Sequence, residues 1–423
     1  MIKKELTPFF KNVSILASGT VASQIILFVV SPVLTRLYPP DDFGTFQIFM
    51  SISLLTGIFV TGKFEQAIVL PEKTEDARRV AQTTVLLAFI ISTIYLIIFQ
   101  VFRTSFLQIP NIEKNSEWLY LIPINNFLTG CVSCMILWIQ RQEKWIKMSV
   151  VLIGQAILTS VFNISFAYSD LLHPGFIWAY TLTQLVLAII LIFSESISEN
   201  LWDWEATKKT IIEYQNFPRY IIWSAFLLTM NQQVIPIIFA FLYSAKIVGF
   251  FYLSIRVLRA PVIVMSNAVA DVFKNEAIVM YRETGNCQSI YKSTLKRMAL
   301  LGFFPFLLLL ISAPLLFELV FGVDWKISGI YAQALSIMLF FEFISVPFFN
   351  LYIITNNTKL NLFAQFVNTI ASISGIFLGY FFFNDTYYSI LFFSFFNTIV
   401  YAANLILTYK LAKNHHFKAT ILN

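Results

Sequence analysis

An all-α polytopic membrane fold of twelve spanning helices is the class this sequence predicts, and three observations carry the prediction. The 423 residues are 58% hydrophobic and only 12% charged, with a mean hydropathy of +0.73; soluble domains are about 25% charged. Apolar stretches of about 19–26 residues recur twelve times between polar turns. At 1.5 Å rise per residue, about 20 such residues cross roughly 30 Å of hydrocarbon, and a helix satisfies its own backbone there. Lysine and arginine also alternate from side to side along the chain, as membrane topology requires.

The stretches run about 14–35, 44–62, 80–101, 118–139, 149–168, 175–194, 219–242, 247–271, 297–317, 329–354, 361–383 and 388–410. The N-terminal MIKKELTPFFKN is polar and leads into the first apolar stretch without a small-residue cleavage site, which predicts a retained first span. With that terminus in the cytoplasm, the inner segments hold 22 of the 29 basic residues and the outer loops hold five: Arg36, Arg103, Lys114, Lys246 and Lys326. Both termini are therefore expected inside. The net charge of +6 follows this topology and does not point to nucleic acid. Outer loops are short, so no extramembrane domain is expected. The inner loop ESISENLWDWEATKKTIIEYQNFPR separates six spans from six. Its Trp202, Trp204, Ile211 and Ile212 suit either a short amphipathic helix on the membrane surface or a solvated linker. The expected organisation is a six-helix bundle over 1–200, a cytoplasmic linker over 201–218 and a second six-helix bundle over 219–423.

An internal echo supports that division. Leu37-Tyr38, Gly44 and Phe46 recur as Leu242-Tyr243, Gly249 and Phe251, at an offset of 205. Ala67-Ile68-Val69 recurs as Ala277-Ile278-Val279 at 210. An even number of spans per repeat gives both halves one orientation, hence two parallel bundles around an axis normal to the membrane, with a cavity between them.

The remaining two basic residues, Arg256 and Arg259, lie inside the eighth stretch, IVGFFYLSIRVLRAPVIVMSNAVADVF. Arg256 is about 15 Å from its start, near the bilayer midplane, and residues three apart share a helix face. Arginine at that depth is costly unless it faces protein or water. Two readings stand: a structural pair met by a carboxylate or carbonyls, or a cationic wall that receives an anion. Glu342, in the tenth stretch, is the natural partner; it suits neutralisation of an arginine, carriage of a coupling proton, or both in turn. Amides add polar faces at Gln24, Asn125, Asn126, Asn231, Gln232, Gln233 and Asn350, each suited first to helix packing. Gln232 and Gln233, about 100° apart, cannot both face one cavity. Pro32, Pro123, Pro236, Pro261, Pro305, Pro314 and Pro347 punctuate the spans, and Pro261 suits a hinge or a static bend.

Several chemistries have no candidate residues. No G-x-x-x-x-G-K-[ST], no H-E-x-x-H and no metal-spaced Cys/His set is present, and His173, His415 and His416 fall in a loop and the tail. Cys131 and Cys134 form a C-x-x-C inside an apolar helix, which reads as packing rather than redox or metal chemistry. The sequence therefore predicts no enzyme and no cofactor, and no repeated filter of an ion channel.

The run SGTVASQIILFVVSPVLTRLYPPDDFGTFQIFMSI, then FEQAIVLPEKTEDA, and NLYIITNNTKLNLFAQFVNTIAS near the end, resemble the polysaccharide-biosynthesis transporters. These are flippases of O-antigen or capsule repeat units, within the multidrug/oligosaccharidyl-lipid/polysaccharide exporter superfamily. The resemblance implies two six-helix bundles in a V that alternate between inward- and outward-open states in the bacterial cytoplasmic membrane. It implies an undecaprenyl-diphosphate-linked oligosaccharide as cargo, with membrane lipids and other polysaccharide-assembly proteins as partners. A diphosphate needs cations at depth, and arginine forks onto phosphate oxygens at any relevant pH. Arg256 and Arg259 fit that role, with Arg36 at the outer exit and Lys63 and Glu65 at the inner mouth; Glu342 and Glu65 are the ion-coupling candidates. The competing expectations are an ion-coupled small-molecule or multidrug exporter of the same superfamily, whose cationic cargo two arginines disfavour, and a non-transporting scaffold, for which buried charge has no purpose.

Overall fold

The computed structural model describes residues 2–102, 117–169, 174–195 and 204–413. Trp202, Arg103, Lys114, Lys418 and the three histidines lie outside them. Among the described residues, twelve helices are long and apolar enough to cross a membrane: Ile15–Leu37, Pro40–Val60, Thr74–Val101, Trp118–Arg141, Trp145–Phe166, Gly175–Ser194, Phe217–Leu242, Ala245–Thr284, Gln288–Phe321, Val323–Ile354, Thr358–Phe383 and Thr386–Lys413. No strand occurs among the described residues. The fold is all-α and polytopic, as the hydropathy pattern requires.

The largest departure from the sequence expectation is at 272–296, read above as an inner loop. The eighth helix instead runs unbroken through Pro261 to Thr284, and the ninth begins at Gln288. Residues 274–284 contain no glycine or proline, and the helix stops where Gly285 takes a left-handed φ of 67°. The first repeat behaves differently at the same place. There Gly62 and Lys63 both have φ 61°, turning the chain out of the second helix into a 3₁₀ segment, Phe64–Val69. Residues 267–272, NAVADV, offer no glycine for such a turn, so the Ala277-Ile278-Val279 echo stays helical. Within the tenth span, helix Lys326–Ser345 gives way to a 3₁₀ turn, Val346–Phe349, at Pro347 and resumes over Asn350–Ile354.

The chain forms two compact units, Met1–Gly249 and Phe250–Asn423. The 201–218 segment falls inside the first, because the seventh helix packs along the second. Of that segment, Trp204–Glu213 is helical, burying Thr207 and Thr210 towards the third span while Trp204 and Ile212 stay exposed. The core of the first unit gathers Ala67, Ile68, Met135, Trp138 and Leu187 around Cys131 and Cys134. Both cysteines are buried and free, and Cys134 Sγ lies 3.6 Å from the Ala81 carbonyl; they act as small packing groups. Where the fifth span begins and the sixth ends, Glu195 is buried, 1% exposed, between Lys144 at 3.3 Å and Lys147. Burial alone pushes its carboxyl up, but the two ammonium groups outweigh burial and hold it below the usual value.

Inside the first unit the two glycines of the repeat meet. A Cβ on Gly44 would lie 1.7 Å from the Ala245 carbonyl oxygen, and one on Gly249 would lie 1.9 Å from the Pro40 carbonyl oxygen. Pro40 and Ala245 are themselves 205 apart, so the contact is reciprocal, as a local two-fold demands. The echo at 205 thus records a backbone-to-backbone approach that only glycine permits.

The second unit is centred on Phe273, Ala277, Tyr291, Phe348, Leu351 and Ala412. Tyr291 stacks on Phe348 with ring centroids 3.9 Å apart, and its hydroxyl donates to the Leu405 carbonyl at 2.8 Å. Ser254 Oγ donates to the Ser328 carbonyl at 2.7 Å, tying the eighth helix to the tenth just before the arginines.

Candidate functional site

The eighth helix carries Arg256 about 16 Å from its start at Ala245. Although Arg256 and Arg259 are one turn apart, they have different partners. Arg259 Nη2 donates to Glu342 Oε2 at 3.0 Å, with side chains 34% and 13% exposed. Arg256 Nη1 donates instead to the Tyr252 hydroxyl at 3.2 Å, its guanidinium carbon 5.6 Å from that ring centroid. Among the described residues no carboxylate lies within ion-pair distance of Arg256. The pair expected from the sequence is thus one neutralised arginine and one that keeps a net positive charge at mid-span.

Two residues that the sequence reading missed complete this cluster. Tyr401 of the twelfth span lies beside Glu342 and Arg259, and Asn368 of the eleventh lies beside Tyr401. Arg259 Nε and Asn368 Oδ1 are buried with no hydrogen-bond partner, a costly condition that marks unused donor and acceptor capacity. Asn368 sits in the quoted stretch NLYIITNNTKLNLFAQFVNTIAS, so a signal for it existed. Tyr401 had none, being one of 18 tyrosines in a chain 17% aromatic. The cluster offers a forked cation, a carboxylate and a hydroxyl within one unit, enough to hold an anion and to exchange a proton locally.

The other sequence candidates stand apart from it. In the first unit Lys63 Nζ is 3.4 Å from Glu65 Oε1, while Glu65 Oε2 is buried without a partner. Beside them Arg141, not singled out from sequence, donates to the Ile68 and Glu72 carbonyls at 3.3 and 3.1 Å and so closes the 3₁₀ segment. Arg36 is exposed at the end of the first helix and donates to the Pro32 carbonyl at 2.7 Å. The amides serve mainly as packing groups. Ser53 Oγ donates to Asn126 Oδ1 at 2.5 Å, Asn125 Nδ2 to Ser53 Oγ at 2.8 Å and Asn126 Nδ2 to Thr56 Oγ1 at 2.8 Å. Gln233 Oε1 accepts from Ser51 at 3.0 Å whereas Gln232 and Gln24 are exposed, so the neighbouring glutamines do face different ways. Asn350 Nδ2 donates to the Ala270 carbonyl at 3.3 Å.

Several solved transporter structures share this architecture. An inward-facing multidrug resistance MATE family transporter of the MOP superfamily superposes with a TM-score of 0.69 at 12% identity, over 91% of this chain and 93% of its own. The lipid II flippase MurJ, in an inward closed conformation, gives 0.68 at 14%, over 93% and 87%. A MOP superfamily transporter from Pyrococcus furiosus, described as having a binding pocket of reverse polarity, gives 0.58 at 12%, over 94% of each chain. Identities this low establish the fold alone. No curated protein matches the sequence. The model of one family, described as polysaccharide biosynthesis protein, matches residues 33–330. That match spans more than half of the chain and includes the repeat glycines, the 3₁₀ segment and both intramembrane arginines, so the chain belongs to the polysaccharide biosynthesis protein family.

Proposed function

We propose that the protein is a flippase that carries an undecaprenyl-diphosphate-linked oligosaccharide, an O-antigen or capsule repeat unit, across the bacterial cytoplasmic membrane by alternating access. The halves of this machine are the repeats 1–200 and 219–423, and the sides are assigned by the basic loops, with both termini in the cytoplasm. The observation that carries the reading is Arg256. It is an arginine at mid-span with no acidic partner among the described residues, held by a tyrosine hydroxyl, next to a second arginine that its glutamate already neutralises. An uncompensated cation at that depth is costly unless an anion visits it, and a diphosphate is the anion that a forked guanidinium suits. The family match agrees with a polysaccharide-pathway cargo.

Deletion of the gene should abolish surface glycan and leave undecaprenyl-linked intermediates on the cytoplasmic face. Complementation with Arg256→Ala should fail while membrane abundance stays at the wild-type level. Unchanged surface glycan in the deletion strain, with new sensitivity to a toxic small molecule, would overturn the reading in favour of a multidrug exporter.

A further inference from the structure

The seam between the second and seventh helices, in the first unit, carries an aromatic group that nothing above uses. Trp223 meets Phe59 edge-on at 6.0 Å between centroids, and Phe226 lies 5.4 Å from Phe59 and 6.4 Å from Trp223. Buried aromatics would ordinarily account for such a trio, yet Trp223 is 58% exposed and Tyr220, one residue past Arg219, is 60% exposed. The two helices are antiparallel, so the residues beyond Phe59 and those before Trp223 extend towards the same, basic-loop side. Lys63 is four residues beyond Phe59 and Arg219 four before Trp223. Arg219 therefore sits about one turn further towards that side than the aromatic contact, and Lys63 lies just past the end of the second helix, in the turn at Gly62, with Glu65 at 3.4 Å. Arg219 lies with its guanidinium 5.6 Å from the Tyr220 ring centroid and is exposed, and the 3₁₀ segment after Lys63 packs against residues 217–221.

We propose that Phe59, Trp223 and Phe226, with Arg219 one turn before Trp223 and the Lys63–Glu65 pair past the end of the second helix, form a docking shelf for the diphosphate and first sugar of a lipid-linked glycan. The proposal rests on the flippase reading. The chemistry is complementary at both ends. An aromatic face is negative, and a pyranose ring presents a face of polarised C–H groups to it. The exposed Arg219 guanidinium at the membrane boundary suits a diphosphate whose lipid tail stays in the bilayer, with the Lys63 ammonium, shared with Glu65, nearby. The helical turn between Arg219 and Trp223 is close to one sugar ring's width, so a phosphate and the adjoining sugar can be met together.

The test uses the full-length protein in phosphatidylethanolamine/phosphatidylglycerol nanodiscs. Two probes are titrated, farnesyl diphosphate and farnesyl-diphospho-N-acetylglucosamine. Trp223→Ala should raise the Kd of the sugar-bearing probe about tenfold and leave that of farnesyl diphosphate within twofold, which also shows that the variant is folded. Trp223→Tyr should bind both like the wild type, and Arg219→Gln should weaken both. Equal effects of Trp223→Ala on the two probes, or none on either, would overturn the shelf and assign Trp223 to the lipid belt while leaving the flippase reading intact. Failure of the wild type to bind either probe would refute both.

Discussion

Removing the charge on Glu342 should destabilise the protein through Arg259, and the structure sets the size of the effect. The contact is 3.0 Å. With an effective dielectric constant near 20, two unit charges at that distance attract by about 5 kcal/mol. Arg259 is a third exposed, so solvent screens part of this and about 3 kcal/mol is expected. Glu342→Gln keeps the shape of the side chain but leaves a guanidinium uncompensated at mid-span. Arg259→Gln leaves a carboxylate in the same condition, and Glu342→Gln with Arg259→Gln leaves neither. Each single variant should therefore lose about 3 kcal/mol and the double variant much less than their sum, a coupling of about 2–3 kcal/mol. Equilibrium unfolding by steric trapping in bicelles measures all four corners of the cycle. A coupling below about 0.5 kcal/mol would refute the electrostatic account of the pair.

Two further outcomes follow from packing and titration. Gly44→Ala should cost about 2–3 kcal/mol, read as a lowered Tm in detergent, because its methyl meets the Ala245 carbonyl at 1.7 Å; Gly154→Ala, with nothing within 4 Å of its Cβ, should be neutral or mildly stabilising. Glu195 has a folded pKa below its reference value of 4.5, so the stability that it confers is present above that value and is lost as pH falls through the lower folded one. The Tm of the wild type should therefore drop more steeply below about pH 4.5 than that of a Lys144→Ala, Lys147→Ala double variant, in which the depression is removed; parallel slopes would rule out this pairing as a source of stability.

Much of this molecule is legible in its sequence, and the reasons differ from residue to residue. Span number follows from hydropathy, since a continuous apolar stretch of about 20 residues satisfies its own backbone in lipid as a helix. The echo of Gly44 in Gly249 was visible as a spacing, and the structure gives its cause: two carbonyls that approach too closely for any side chain. The Gln232–Gln233 divergence was fixed by helical geometry before any contact was known. Helix ends were less legible. The stretch after Val272 reads as polar loop because hydropathy falls there, although it lacks any residue that would stop a helix before Gly285.

Partners were the least legible. Arg256 and Arg259 look equivalent in sequence, and one turn of helix separates them, but only Arg259 reaches Glu342 across to the tenth span. Tyr401 joins them from a position 142 residues further along the chain, and a tyrosine in a Phe- and Tyr-rich helix carries no local mark of that role. The difference has a functional consequence. A fully paired couple would be a structural strut, indifferent to cargo. A cluster in which one arginine is neutralised and the other is not keeps the local fold while leaving a single positive charge at depth. Adding an anionic ligand there compensates the free charge without breaking the ion pair that holds the helices together. Under the proposed function, binding and scaffolding are divided between two residues of identical chemistry, and Arg256, not Arg259, is the one whose loss should silence transport and leave the fold in place.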